Sequence, residues 1–107
     1  MTQKDKELLL KDLCARLPYG VKMTDGVDTY RLTSPFLYKY IEMELKPYLR
    51  PRSEIAKLIS AKEFTQLSGI DLIDWYNANH IDYRGLIPMG LALEALEGMY
   101  ETEKQKD

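Results

Sequence analysis

Two prolines, Pro47 and Pro51, bracket Tyr48-Leu49-Arg50 near the middle of the chain. Proline lacks the N–H that helix interiors and central strands require, and it biases the residue before it toward extended backbone. The bracket therefore argues against a regular helix or a central strand there and predicts an extended joint. The N-terminal half of the chain must pack on the C-terminal half across that joint. A chain of 107 residues is one domain's worth. At that length, folding buries roughly 60–70% of the unfolded chain's surface, so neither disulfide nor metal is needed. A hydrophobic share of 45% and a charged share of 30% are globular values.

Before the prolines the pattern changes once. Leu9, Leu10, Leu13, Cys14 and Leu17 recur at spacings of three and four, which predicts a helix over residues 4–17 with these side chains on one face. Thr2 or Asp5 is placed to cap its start, and Pro18 stops it. Cys14 lies on the apolar face and reads as a small buried hydrophobe. Residues 19–46 then take strand character. Gly20 to Met23 alternates, Asp25-Gly26 is a two-residue hairpin signal, and Val27 to Leu32 returns. Thr33-Ser34-Pro35 is a second turn. From Phe36 to Leu45, Leu37, Ile41, Met43 and Leu45 share one parity, with Lys39 as the exception, while Tyr38, Tyr40, Glu42 and Glu44 share the other. That predicts a third strand with a tyrosine-rich outer face.

After the prolines the reading is helical. Ser53 caps a short helix through Ile59, residues 61–67 are a further turn or a loop, and Ser68 or Asp71 caps a helix to about Asn79. Leu72, Trp75, Tyr76 and Asn79 share one side of it, and Asn79 is a left-handed C-cap candidate. Asp82 reads as the cap of a second short helix, Tyr83 to about Ile87, interrupted by Pro88 and Gly90 and resumed over Leu91 to Leu96. The expected fold is α+β: an N-terminal helix, an antiparallel three-stranded meander, and two or three short C-terminal helices. Residues 1–100 form the domain, and the charged residues 101–107 fray.

Several function classes find no support in the residues. One Cys and one His, far apart, match no zinc spacing, so no metal or cofactor is expected. No G-x-S-x-G elbow and no Gly-rich phosphate loop is present. No carboxylate sits in an apolar run that would tune it for acid–base work. The expectation is a protein that is not an enzyme. The single Cys suits a reducing cytoplasm, Leu8-Leu9-Leu10 is too short for a signal-peptide core, and no run reaches the ~20 apolar residues of a membrane span.

Asp74 to Ile87 concentrates the groups that can both stack and hydrogen-bond, with the only Trp, the only His and the pair Asp82 and Arg84. One reading is a structural corner, with Trp75 and Tyr76 packed inward, Asn79 and His80 satisfying carbonyls, Asp82 capping, and Arg84 paired with Asp82 or a neighbouring acid. The other is a recognition surface for a protein partner made by Trp75, Asn77, Asn79, His80, Tyr83 and Arg84, because Trp, Tyr and Arg are the usual anchors of such surfaces. An alternative is nucleic-acid binding through Tyr38, Lys39, Tyr40, Lys46, Tyr48, Arg50 and Arg52, since single-strand binders interleave aromatic rings with cations. Net charge is -2, and the acidic pI of about 5.4 disfavours it.

Three blocks carry a resemblance: Leu9 through Lys22 with Pro18-Tyr19-Gly20-Val21-Lys22, then Lys46 through Pro51, then Asp74-Trp75 through Ile87 with Gly90 to Ala95. Together they resemble a family of small uncharacterised proteins encoded on prophages and mobile elements of gut bacteria. The resemblance brings no activity. Relatives usually show two adjacent His where this chain has Asn79-His80, so a paired-His metal site is not implied here. They often carry Pro where Leu96 stands, and a long acidic helical insert where this chain has only Ser53 to Gly69.

Overall fold

The first helix begins with a reciprocal cap. Asp5 N–H donates to Thr2 Oγ1 at 3.0 Å while Thr2 N–H donates to the Asp5 carboxylate at 3.1 Å, so both expected cap residues act together. In the computed structural model, which describes residues 1–100, this helix is α1, Gln3–Arg16. It ends in a 3-10 turn, Leu17–Tyr19, with Pro18 in its first positions. Gly20 comes next at φ +68, where a Cβ would come within 2.7 Å of the Arg31 guanidinium. The left-handed φ favours glycine here, and a larger residue would also have to displace the Arg31 side chain.

The buried face of α1 is rotated from the one the spacing predicts. It consists of Leu9, Asp12, Leu13 and Arg16. Cys14 is exposed and shares the solvent side with Lys4, Glu7 and Lys11. Asp12 and Arg16, one turn apart, occupy that buried stripe and bond each other inside the protein. Leu9 and Leu13 are fully buried, each stabilising by about 2 kcal/mol.

Strand β1, Lys22–Thr24, pairs antiparallel with β2, Thr29–Arg31. The expected two-residue hairpin is instead a loop over residues 25–28. The Asp25 carboxylate accepts from the N–H groups of Val27 and Asp28, both at 2.8 Å, and Gly26 takes φ +99.

The third strand of the expected meander is a helix. After the 3-10 turn Ser34–Phe36, α2 spans Leu37–Glu42. Leu37 and Ile41 are of one parity but also four apart, so burying both satisfies a helix as well as a strand. Met43, expected on the inner face, is 58% exposed. Glu44 at φ +58 closes the helix, with Leu45 N–H reaching Tyr40 O and Glu44 N–H reaching Ile41 O, both at 3.0 Å.

The strand that replaces it is the one the prolines argue against. β3, Lys46–Leu49, contains buried Pro47 and lies inside the sheet, in the order β2-β1-β3-β4. It is antiparallel to β1 and parallel to β4, Leu93–Glu94. The β4 ladder covers only Tyr48 and Leu49, so the missing N–H of Pro47 falls before it begins. The sheet is thus four-stranded and mixed. β4 also replaces the expected resumed helix, because Gly85 and Gly90, both at φ +77, hold the preceding segment in successive turns. Leu49, Leu86 and Leu91 then join Leu9, Leu13 and Met23 in the core.

Beyond β3 lie a 3-10 turn, Arg52–Glu54, and three helices: α3, Ile55–Leu58, α4, Ala61–Thr65, and α5, Gly69–Ala78. Ser60 caps α4 by accepting from Glu63 N–H. The expected frayed segment, residues 101–107, lies outside the described residues.

Candidate functional site

The corner after α5 turns at His80, not at Asn79. Asn79 has φ -101 and its side-chain amide donates to Trp75 O at 3.0 Å, while His80 takes the left-handed φ of +59. That turn aims Ile81 back along the sheet. Arg50 N–H donates to His80 O at 2.7 Å, and Asp82 N–H donates to Arg50 O at 2.9 Å, forming a parallel bridge between Arg50 and Ile81. The His80 ring stacks on Tyr100 with centroids 3.7 Å apart. Tyr100 is fixed in turn, accepting from Lys22 N–H at 2.9 Å and donating to Tyr48 O at 2.7 Å.

Asp82 does not begin a helix. Its buried carboxylate accepts from Leu86 N–H at 2.7 Å and Ile87 N–H at 2.9 Å, and residues 83–90 are consecutive turns. Asp82 thus performs a capping function on a loop. Arg84 does not pair with Asp82. Its Nε donates to Asp12 Oδ1 on α1 at 3.0 Å. Asp12 also takes Arg16 Nε at 2.7 Å and Nη2 at 3.2 Å, and Arg16 Nη2 donates to Ile81 O at 2.7 Å. Two guanidiniums therefore share one fully buried carboxylate. The Tyr83 ring stacks on Tyr76 at 5.2 Å, with the Arg16 and Arg84 guanidiniums 5.2 and 5.0 Å from its centroid.

Of the six candidate protein-binding residues, Asn77 and His80 are buried, and Trp75, Asn79, Tyr83 and Arg84 are half-buried. Residues that sequence reasoning misses hold the corner: Asp12, Arg16 and Tyr100. The four-residue spacing of Asp12 and Arg16 is the visible signal, since it places opposite charges on one helix face.

The tyrosine and basic candidates are dispersed. Tyr38, Lys39 and Tyr40 lie on α2, Lys46 and Tyr48 on β3, and Arg52 on the turn beyond it. Tyr40 is half-buried, stacked on Phe36 and tilted against Tyr30. Arg50 is 6% exposed.

A different surface emerges from the segment between corner and sheet. No residue from 51 to 75 is fully buried, although the segment contains Ile55, Ile59, Phe64, Leu67, Ile70 and Ile73. Phe64 meets the Trp75 edge at 5.8 Å, and a groove of about 430 Å³ is lined by Ile55, Ile59 and Phe64 among others. On α5, Ile70 is 78% exposed and Ile73 42%.

The perturbed titratable groups sit elsewhere, in the β1–β2 loop. The N–H groups of Asp28 and Val27 hold the Asp25 carboxyl below its usual range, and the bond from Tyr30 OH to Asp25 raises the Tyr30 phenol. Among the described residues no group of three or more His, Cys, Asp or Glu is placed to hold a metal ion, and no helix is long and apolar enough to cross a membrane. Compared with protein-family models, curated proteins and solved structures, the chain matches none.

Proposed function

We propose that this chain is a non-catalytic protein-binding module, an accessory protein of the phage or mobile-element type, and that it binds its partner through the helical arm of residues 51–75. The observation that carries the reading is the arm's unburied apolar content. Ile70 and Ile73 sit one turn apart on the exposed side of α5, and Ile55, Ile59, Phe64 and Leu67 are only half-covered; exposed apolar side chains grouped on one element mark interaction surfaces. The Trp75–Arg84 corner supports the arm from beneath. Its buried charges are already engaged: Asp12 and Arg16 with each other, Asp82 with two backbone amides. The mobile-element part of the reading rests on the three sequence blocks alone.

The test compares tagged wild-type protein with the double variant Ile70→Asp/Ile73→Asp as baits in nuclease-treated lysate of the native host, read by quantitative mass spectrometry. Both positions are exposed, so the variant should keep the wild-type melting temperature within a few degrees. A partner captured by wild type and lost by the folded variant supports the arm. Equal capture by both rejects it, and a partner that wild type captures only when the nuclease is omitted from a parallel lysate points to nucleic acid instead.

A further inference from the structure

Arg50 occupies an unusual electrostatic position. Its backbone is held on both sides by the His80 and Asp82 bonds, and the residue is more than nine-tenths buried. A guanidinium has five N–H donors. Here the hydrogen bond it makes is a long one, Nη1 to Asn79 O at 3.5 Å, and the Tyr100 ring lies 5.8 Å from its centre. Among the described residues no carboxylate lies within 4.0 Å of it. Arg16 differs in having an acid: its Nε and Nη2 meet Asp12 and Ile81 O, while its Nη1 is buried without a hydrogen bond among the described residues. None of the Arg50 nitrogens is both sealed from solvent and unbonded, so the donors it does not spend on Asn79 O are open to an anion.

Arg50 lines a cleft of about 440 Å³, within the range of small-ligand sites. One wall carries Glu54 and Lys57, already paired at 2.9 Å. The other carries Glu94 of β4 and, beyond that strand, Glu97 and Tyr100. Glu94 and Glu97 are exposed and carry no ion pair among the described residues. A single buried guanidinium calls for one carboxylate, which Arg binds through two parallel N–H···O bonds. Two exposed acids on the wall disfavour a polyanion and favour a positive centre beside that carboxylate.

We propose that this cleft binds a small zwitterion of the α-amino acid class, its carboxylate on Arg50 and its ammonium toward Glu94 and Glu97. The proposal is independent of the partner surface on the arm, so either can fail alone.

The experiment titrates the full chain with the twenty common amino acids, their N-acetyl derivatives, their amides and inorganic phosphate, using melting temperature as the screen and calorimetry for Kd. At least one free amino acid should raise the melting temperature, while its N-acetyl and amide forms should bind at least tenfold more weakly. Arg50→Lys retains the charge and both backbone clamps but loses the fork, and should weaken binding at least tenfold. Glu94→Gln/Glu97→Gln alters only exposed side chains and should weaken the free amino acid at least threefold. Failure of all twenty to bind overturns the proposal. So does equal binding of the N-acetyl form or tighter binding of phosphate, either of which reduces the cleft to an anion site. Unchanged affinity in a folded Arg50→Lys variant also overturns it.

Discussion

Arg84 Nε reaches Asp12 Oδ1 at 3.0 Å across 72 positions of sequence, closing the C-terminal turns onto the first helix. Asp12 is fully buried and already neutralises Arg16, so this carboxylate joins α1, the corner and the loop after it. Removing it leaves one guanidinium buried without an acid and a second without its anchor. Asp12→Ala is therefore expected to cost about 3–5 kcal/mol, the range for breaking a buried pair. Arg84→Ala, at a partly exposed partner, should cost less, and the two changes should couple by about 0.5–3 kcal/mol in a double-mutant cycle. Urea unfolding of the four proteins measures this. Additive losses would show that the contact contributes nothing.

Asp82 supports a loop rather than a charge network, so its deletion has a different signature. Asp82→Ala leaves the Leu86 and Ile87 N–H groups without their acceptor, one fully buried and one partly so. Each orphaned donor costs about 1–3 kcal/mol. The expected outcome is a loss of about 2–4 kcal/mol, with fast amide exchange appearing first at Leu86 and Ile87. Asp82→Asn keeps one acceptor oxygen and should fall between. Protected amides at both positions in Asp82→Ala would remove the capping role.

These two acids also mark how far the fold is legible in the sequence. α1 follows from local spacing and its cap, and α5 and the β1–β2 pairing lie where local spacing puts them, although Ser68 makes no side-chain cap bond and the turn is longer than Asp25-Gly26 predicts. α2 reads as a strand because Leu37 and Ile41 are compatible with either periodicity, so parity alone cannot choose. Cys14 reads as buried because the apolar spacing on α1 takes no account of a bonded charge pair lying on the buried side. Pro47 argues against β3, and the reason it is tolerated, a β4 ladder that starts one residue later, lies 46 residues downstream at Leu93. The corner's residue types are visible, but its partners Asp12 and Tyr100 are long-range, and nothing local specifies them.

The β1–β2 loop should report acid. The folded Asp25 pKa is depressed, so its contribution to stability is fully present above the unfolded value, near 3.8, and is lost as pH falls through the folded value. The contribution stems from bonds accepted from Asp28 and Val27 N–H, which Ala removes. Urea midpoints of wild type and Asp25→Ala should differ at about pH 6 and converge as the pH falls below the unfolded value of 3.8. Tyr30 has the opposite sign: its raised pKa means that its contribution is present below about pH 10 and lost as pH rises through the folded value. A wild-type-to-Ala gap that stays constant from about pH 6 to about pH 2 would exclude Asp25 as the titrating group.

Cys14 tests the rotation of α1 directly. Helical spacing places it in the core with Leu10 and Leu17, whereas the fold places it outward beside Lys11. An exposed thiol reacts through its thiolate at a rate set by access and the solution pH, while a buried one waits for unfolding. In native buffer at about pH 8, a disulfide-exchange reagent such as dithiobisnitrobenzoate should modify one thiol per chain in a single fast phase. Adding urea to full unfolding should change the rate by less than about tenfold. The modified protein should retain its melting temperature within a few degrees, because nothing packed is displaced. A native rate suppressed about a thousandfold would return Cys14 to the core. It would also dissolve the Asp12–Arg16 stripe, since both residues cannot occupy the buried side of α1 while Cys14 does.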